Sequence, residues 1–123
     1  MINEFIQISI LVLAQYALPV PHIEFTDDPD VLGGKETLGI TMCGFGKQSG
    51  KPMCYIMLNS CIEEEGRTDL SDKILKHELA HYIDFMTDGM MSDHGGQWTF
   101  IMNSMGLKPR QYARRTDTPR SCR

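Results

Sequence analysis

Asp69-Leu70-Ser71-Asp72-Lys73-Ile74-Leu75-Lys76-His77-Glu78-Leu79-Ala80-His81-Tyr82-Ile83-Asp84-Phe85-Met86 holds the longest predicted helix of this 123-residue chain. Leu70, Ile74, Leu75, Leu79, Ile83 and Phe85 supply the apolar positions. Asp69 is a favourable N-cap, so the helix is predicted from there to about Met86. Inside it, His77-Glu78-Leu79-Ala80-His81 reads H-E-x-x-H. Residues four apart on a helix differ by about 40° around the axis and about 6 Å along it, so both imidazoles leave one face. That separation suits one zinc ion bound at about 2.0–2.1 Å by each nitrogen. Glu78 projects beside the pair, placed to take a proton from an activated water, as zinc peptide hydrolases require.

Catalytic zinc sites use three protein ligands, so one more is needed. The candidates are His94, Asp84, Asp88, Asp93 and His22. Asp84 is on the motif's helix, but a straight helix carries it away from the metal. His94 follows the Gly89 loop, thirteen residues past His81, at the start of the next predicted helix. A second, antiparallel helix would deliver it to the first, and His94 is the ligand we expect. His22, between two prolines far upstream, reads as structural.

Working outward, Thr87 to Asp93 is predicted as a loop, with Asp93 capping a second helix. Trp98, Ile101, Met102 and Met105 there follow i, i+3, i+4, i+7, and Gly106 is placed to end it. Upstream, Cys61 to Thr68 is a polar connection containing the acidic run Glu63-Glu64-Glu65. Thr37 to Phe45 and Met53 to Leu58 read as strands joined by a Gly- and Pro-rich turn. Ile23 to Thr26 is a short strand and Asp27 to Gly34 a loop. A first helix is expected to end near Leu18, before Pro19 and Pro21. The order is helix, β-rich middle, helix-helix, which means a single α+β domain.

Composition agrees: 41% hydrophobic and 23% charged residues exclude a disordered tail protein, a collagenous repeat and a coiled coil. Cys43, Cys54, Cys61 and Cys122 form no C-x-x-C pair, matching neither a zinc ribbon nor a thioredoxin-type motif. They are expected as three small core cysteines plus one in a frayed tail, in keeping with a reducing, cytoplasmic location. The apolar run Ile8 to Ala14 follows Glu4 and no Lys or Arg, so it is expected as a packed amphipathic helix in a soluble, unexported protein. Seven residues cannot span a bilayer, and no membrane association is expected.

Charge is uneven. Residues 1–107 carry six basic and fifteen acidic side chains, whereas residues 108–123 carry six basic and one acidic. The chain therefore divides into a domain over 1–110 and a basic tail over 111–123. Such a tail either contacts nucleic-acid phosphate weakly or folds back on its own acidic domain.

The segment His94-Gly95-Gly96-Gln97-Trp98, followed by Met102-Asn103-Ser104-Met105-Gly106-Leu107, resembles the SprT-like metallopeptidases. Their pattern is HExxH, a spacer, HG, two residues, a large aromatic, and a helix ending near a glycine. Tyr55-Ile56-Met57-Leu58-Asn59 is similar to the strand and Asn that precede the zinc helix in that family. The similarity covers about residues 36–110. It implies that His77, His81 and His94 bind Zn2+, that Glu78 is the base, and that the fold is minimal zincin-like, with a small antiparallel sheet over the zinc helix. The zinc ribbon of bacterial relatives and the DNA-binding modules of Spartan-type relatives have no counterpart in this sequence.

The expected function is a zinc-dependent endopeptidase acting on protein substrates, among them DNA-associated or DNA-crosslinked proteins. Two alternatives stand beside it: a narrow protease acting on one host or defence protein without DNA, and a non-catalytic zinc-containing module that binds DNA. Tyr82, Tyr112, Arg114 and Arg115 are candidates for an oxyanion donor, and the sequence does not choose among them.

Overall fold

The computed structural model describes residues 1–34, 36–89, 95–109 and 122, with the side chain of Glu65 left aside. The elements run α1 (Ile2–Ala14), β1 (His22–Thr26), α2 (Pro29–Leu32), β2 (Gly39–Phe45), β3 (Pro52–Asn59), a 3₁₀ helix (Ser60–Glu65), α3 (Asp69–Asp88) and α4 (Gly96–Ser104). This is the α+β domain anticipated. Among the described residues, no helix is long and apolar enough to cross a membrane.

α3 is the central element: it packs against α1, β2, β3 and α4. Every side chain from Glu78 to Phe85 is buried, so this stretch is covered all round rather than along one stripe. Thr68, not Asp69, is its N-cap. The Thr68 hydroxyl accepts from the Ser71 amide at 3.1 Å, and the Ser71 hydroxyl accepts from the Thr68 amide at 2.8 Å, a reciprocal capping box. Asp69 falls in the first turn, where its charge favours the helix dipole. The helix runs to Asp88, two residues past the predicted end. Gly89 stops it by taking the left-handed conformation, φ 73°, with its amide on the Phe85 carbonyl.

The three strands are ordered β1-β3-β2. β2 and β3 form the expected hairpin, closed where the Gly46 amide meets the Lys51 carbonyl at 2.8 Å. β1 pairs parallel with β3, from His22 beside Tyr55 to Thr26 beside Asn59. The sheet is therefore mixed, not wholly antiparallel as expected. The chain leaves β1, crosses to the outer position as β2, and turns back into the gap as β3. Cys54, Ile56 and Leu58 face inward, buried in the core that includes Leu75, Leu79 and Ile83 of α3.

Three local readings are corrected by capping chemistry. The segment predicted as a loop after β1 contains α2, a one-turn helix capped by the Asp28 carboxylate on the Asp30 amide, with Pro29 at its start. The polar connection after β3 is a 3₁₀ helix begun by Asn59, whose side chain accepts from the Cys61 amide and donates to the Thr37 carbonyl. α1 stops at Ala14 rather than Leu18: Ala17 turns to φ 55°, and the Leu18 amide closes back on the Leu13 carbonyl. Ser9, the one polar residue on its apolar stripe, is buried and donates to the Phe5 carbonyl at 2.8 Å.

α4 buries Trp98, Ile101 and Met102, as its spacing predicted. Gly106 at φ 77° ends it, with the Leu107 amide on the Met102 carbonyl and the Gly106 amide on the Asn103 carbonyl. That pair of bonds is a Schellman stop.

The cysteines depart from expectation. Cys61 and Cys122 form a disulfide across 61 residues of sequence, leaving Cys43 and Cys54 free. Only two are therefore free core-type thiols, and Cys122 is not a frayed end. Sequence spacing could not find this bond, because the partners meet only once the chain has folded. The cysteines accordingly give no support to a reducing compartment.

Candidate active site

The helical geometry places His77 and His81 together. Their ring centroids lie 5.1 Å apart, with the planes at 70°. Trp98, from the next helix, backs both rings: it stands edge-on to His77 at 5.1 Å and stacks on His81 at 5.4 Å with 22° between planes. Trp98 is therefore core, as its position on α4 suggests, and it is also the wall against which both imidazoles are held. His77 is half-buried and His81 is only 7% exposed, so the pair is open chiefly on the His77 side.

Glu78 leaves the helix toward β2 and is 6% exposed. The Thr41 hydroxyl lies 2.9 Å from Glu78 Oε1 and 3.0 Å from the Glu78 backbone carbonyl, so one hydroxyl addresses both side chain and helix. Gly39, two residues earlier on the same face of β2, passes directly over this side chain. A Cβ there would sit 3.1 Å from Glu78 Cγ and 3.2 Å from Oε2. Burial pushes the Glu78 carboxyl up to about 7, and the Thr41 hydrogen bond partly opposes that rise. A carboxyl poised near neutrality can both take and return a proton.

The other candidates are distributed as follows. His22 is exposed on β1, bound to the Glu24 carboxylate at 3.0 Å and edge-on to Tyr55. It belongs to the sheet face turned away from α3, which fits its reading as structural. Asp84 is 1% exposed within α3, and Asp88 is the last residue of that helix. Asp88 and Thr87 meet the Gln97 amide, which ties the end of α3 to the start of α4. The Tyr82 hydroxyl donates to the Pro19 carbonyl at 2.6 Å, so it is engaged in holding the segment after α1. Asp93, His94, Tyr112, Arg114 and Arg115 lie outside the described residues. Among the described residues, no group of three or more His, Cys, Asp or Glu converges on a metal-sized space.

Thr41 and Gly39 are the residues that sequence reasoning missed. Strand alternation puts both on one face of β2, but nothing local says that this face meets Glu78, 37 positions further on.

Fold and site together define a small α+β domain organised around one central helix that presents two histidines and buries the glutamate between them. The SprT-like family matches residues 32–118, well over half of the chain, and the protein belongs to that family. It is also similar to Protein SprT of Vibrio atlanticus (strain LGP32), 30% identical over 63 residues. That match covers 49% of this chain and 38% of the relative, so the chain spans well under half of the curated protein it matches. No solved structure matches the chain significantly.

Proposed function

We propose that this protein is a zinc-dependent endopeptidase in which His77, His81 and His94 hold the metal and Glu78 is the general base. The observation that carries the reading is the His77–Glu78–His81 arrangement itself. Two imidazoles share one face against Trp98, while the intervening carboxylate is turned aside and held by Thr41. Neutral imidazole nitrogens suit zinc, and a carboxylate withheld from them suits a base rather than a ligand. His94 would complete the set from the segment leading into α4.

When bound, zinc supplies Lewis acidity, polarising the scissile carbonyl and making water a competent nucleophile near neutral pH. The protein's own residues do the rest. Glu78 accepts the proton of the attacking water and passes it to the departing amine. Thr41 fixes which way the carboxylate points, and Gly39 leaves it room. Trp98 backs each imidazole ring, edge-on to His77 and stacked on His81.

A purely structural zinc site has no use for a buried carboxylate of this kind, which speaks against the non-catalytic alternative. For substrate, the family resemblance favours proteins bound or crosslinked to DNA, with the basic tail as a weak phosphate contact. The Cys61–Cys122 bond favours the narrower reading, a protease acting without DNA. It fastens the end of the tail beside the acidic run Glu63-Glu64-Glu65 of the domain.

The test is metal analysis of the purified protein together with a proteome-wide search for cleavage, using Glu78→Gln as control. One zinc per chain, lost in His77→Ala, His81→Ala and His94→Ala, and cleavage abolished in Glu78→Gln with zinc retained, are the expected results. Cleavage that persists in Glu78→Gln would defeat the assignment. DNA binding that is salt-sensitive and lost on deleting residues 111–123 would decide for the DNA-associated substrate; its absence at about 50 mM salt would decide for the other.

A further inference from the structure

Cys43 and Cys54 are directly opposite one another on β2 and β3. The hydrogen bonds at the two ends of the hairpin decide what kind of pair they make. The Asn59 amide bonds the Leu38 carbonyl, and the Gly46 amide bonds the Lys51 carbonyl, so both end pairs are of the hydrogen-bonded type. Bonded and non-bonded pairs alternate along an antiparallel ladder. Counting inward along this register makes Gly39–Leu58, Thr41–Ile56, Cys43–Cys54 and Phe45–Pro52 the non-bonded pairs. Opposed Cα atoms in such pairs lie about 4.5 Å apart, with side chains closer than in bonded pairs. Disulfides span Cα separations of about 4.4–6.8 Å, so this position accepts one with little backbone movement.

The side chains share one packed environment: Cys54 lies in the core cluster with Cys43 packed against it, and each thiol perturbs the ionisation of the other. Cys54 is buried, whereas Cys43 is only half-buried, on the outer strand of the sheet, and is the more accessible of the two. Tyr82 of α3 lies in the same core cluster as Cys54, its hydroxyl held by the Pro19 carbonyl. Neither cysteine belongs to the His77–Glu78–His81 group, and neither takes part in the existing disulfide.

We propose that Cys43 and Cys54 form an oxidisable dithiol, a second reactive site that gives two electrons to a low-molecular-weight disulfide and closes as a cross-strand bond. The Cys43 thiolate attacks one sulfur of the reagent, forming a mixed disulfide and releasing one thiol. Cys54 then loses its proton and attacks the Cys43 sulfur. The Cys43–Cys54 bond forms, the mixed bond breaks, and the second reagent thiol leaves with its proton. Burial raises both thiols above their usual range, so thiolate is scarce at neutral pH and the first step quickens as pH rises.

This inference does not depend on the protease reading. Its test uses the full chain with Cys61–Cys122 intact, incubated with oxidised glutathione, alkylated and digested with trypsin and chymotrypsin without reduction. Two glutathiones should be released per chain, and the peptides bearing Cys43 and Cys54 should become linked. Below the thiol pKa the rate should climb about ten-fold per pH unit. In Cys54→Ala the reaction should stop as a glutathione adduct on Cys43. A wild-type chain that stops at this adduct, leaves both thiols alkylatable, or links Cys43 to Cys61 would overturn the proposal.

Discussion

The two faces of the β2–β3 hairpin are made from alternate residues of the same strands, yet they live in different environments. The inward row, Gly39, Thr41 and Cys43 on β2, lies over α3, where Thr41 reaches Glu78 and Gly39 leaves it space. The outward row includes Met42, Met53 and Tyr55, all exposed. A residue's type says little about which row is which: Thr41 is polar and buried, Met42 apolar and exposed. What separates them is burial against α3, which at Gly39 and Thr41 brings contact with Glu78. Substitutions at Gly39 and Thr41 should therefore be felt at Glu78, and those on the outward row should not.

The largest expected effect concerns Glu78 itself. Its folded pKa of about 7 lies above the ordinary 4.5, so between these values the folded state holds a proton that the unfolded chain has lost. Stability of the metal-free protein should therefore fall as pH rises through this window, by up to about 3 kcal/mol, and level off above it. Glu78→Gln should erase that part of the slope. Chemical denaturation of both proteins at pH 4.5, 6 and 8 in the presence of a chelator measures it, and parallel curves would show that Glu78 does not take up a proton on folding.

Thr41→Val should come next. It keeps shape but removes the hydroxyl from a buried carboxylate, which costs about 1–3 kcal/mol. It should also raise the Glu78 pKa further, shifting the acid limb of any pH–rate profile upward while zinc content stays unchanged. Under the proposed function, loss of zinc in this variant would mean that Thr41 supports the histidines rather than Glu78.

Gly39→Ala should cost less, on the order of 1 kcal/mol, because Leu58 and Glu78 must each give way by a few tenths of an ångström. The smallest effect is expected on the outward row. Met42→Thr should change stability by no more than about 0.5 kcal/mol, as at most surface positions. A thermal shift in Met42→Thr as large as that of Thr41→Val would show that the outer face is covered, and the contrast between the two rows would fail.

Features that depend on neighbours a few residues apart can be read from the chain itself. The body of α3, the shared face of His77 and His81, the Trp98-Ile101-Met102 stripe, the glycine stop at Gly106 and the β2–β3 hairpin all follow from helical or strand periodicity and turn chemistry. Capping was partly legible, since Thr68 and Ser71 stand at the capping-box spacing, but Asp69 offered an equally good cap beside it. Only the tertiary structure decided the parallel pairing of β1 with β3, the hydrogen bond from Thr41 to Glu78, the Trp98 wall behind both histidines, and the joining of Cys61 to Cys122. Each of these joins segments far apart in the chain, and neither periodicity nor capping carries information over such distances. They are chosen by which arrangement buries the most apolar surface while leaving each buried polar group a partner, a condition set by the whole molecule at once.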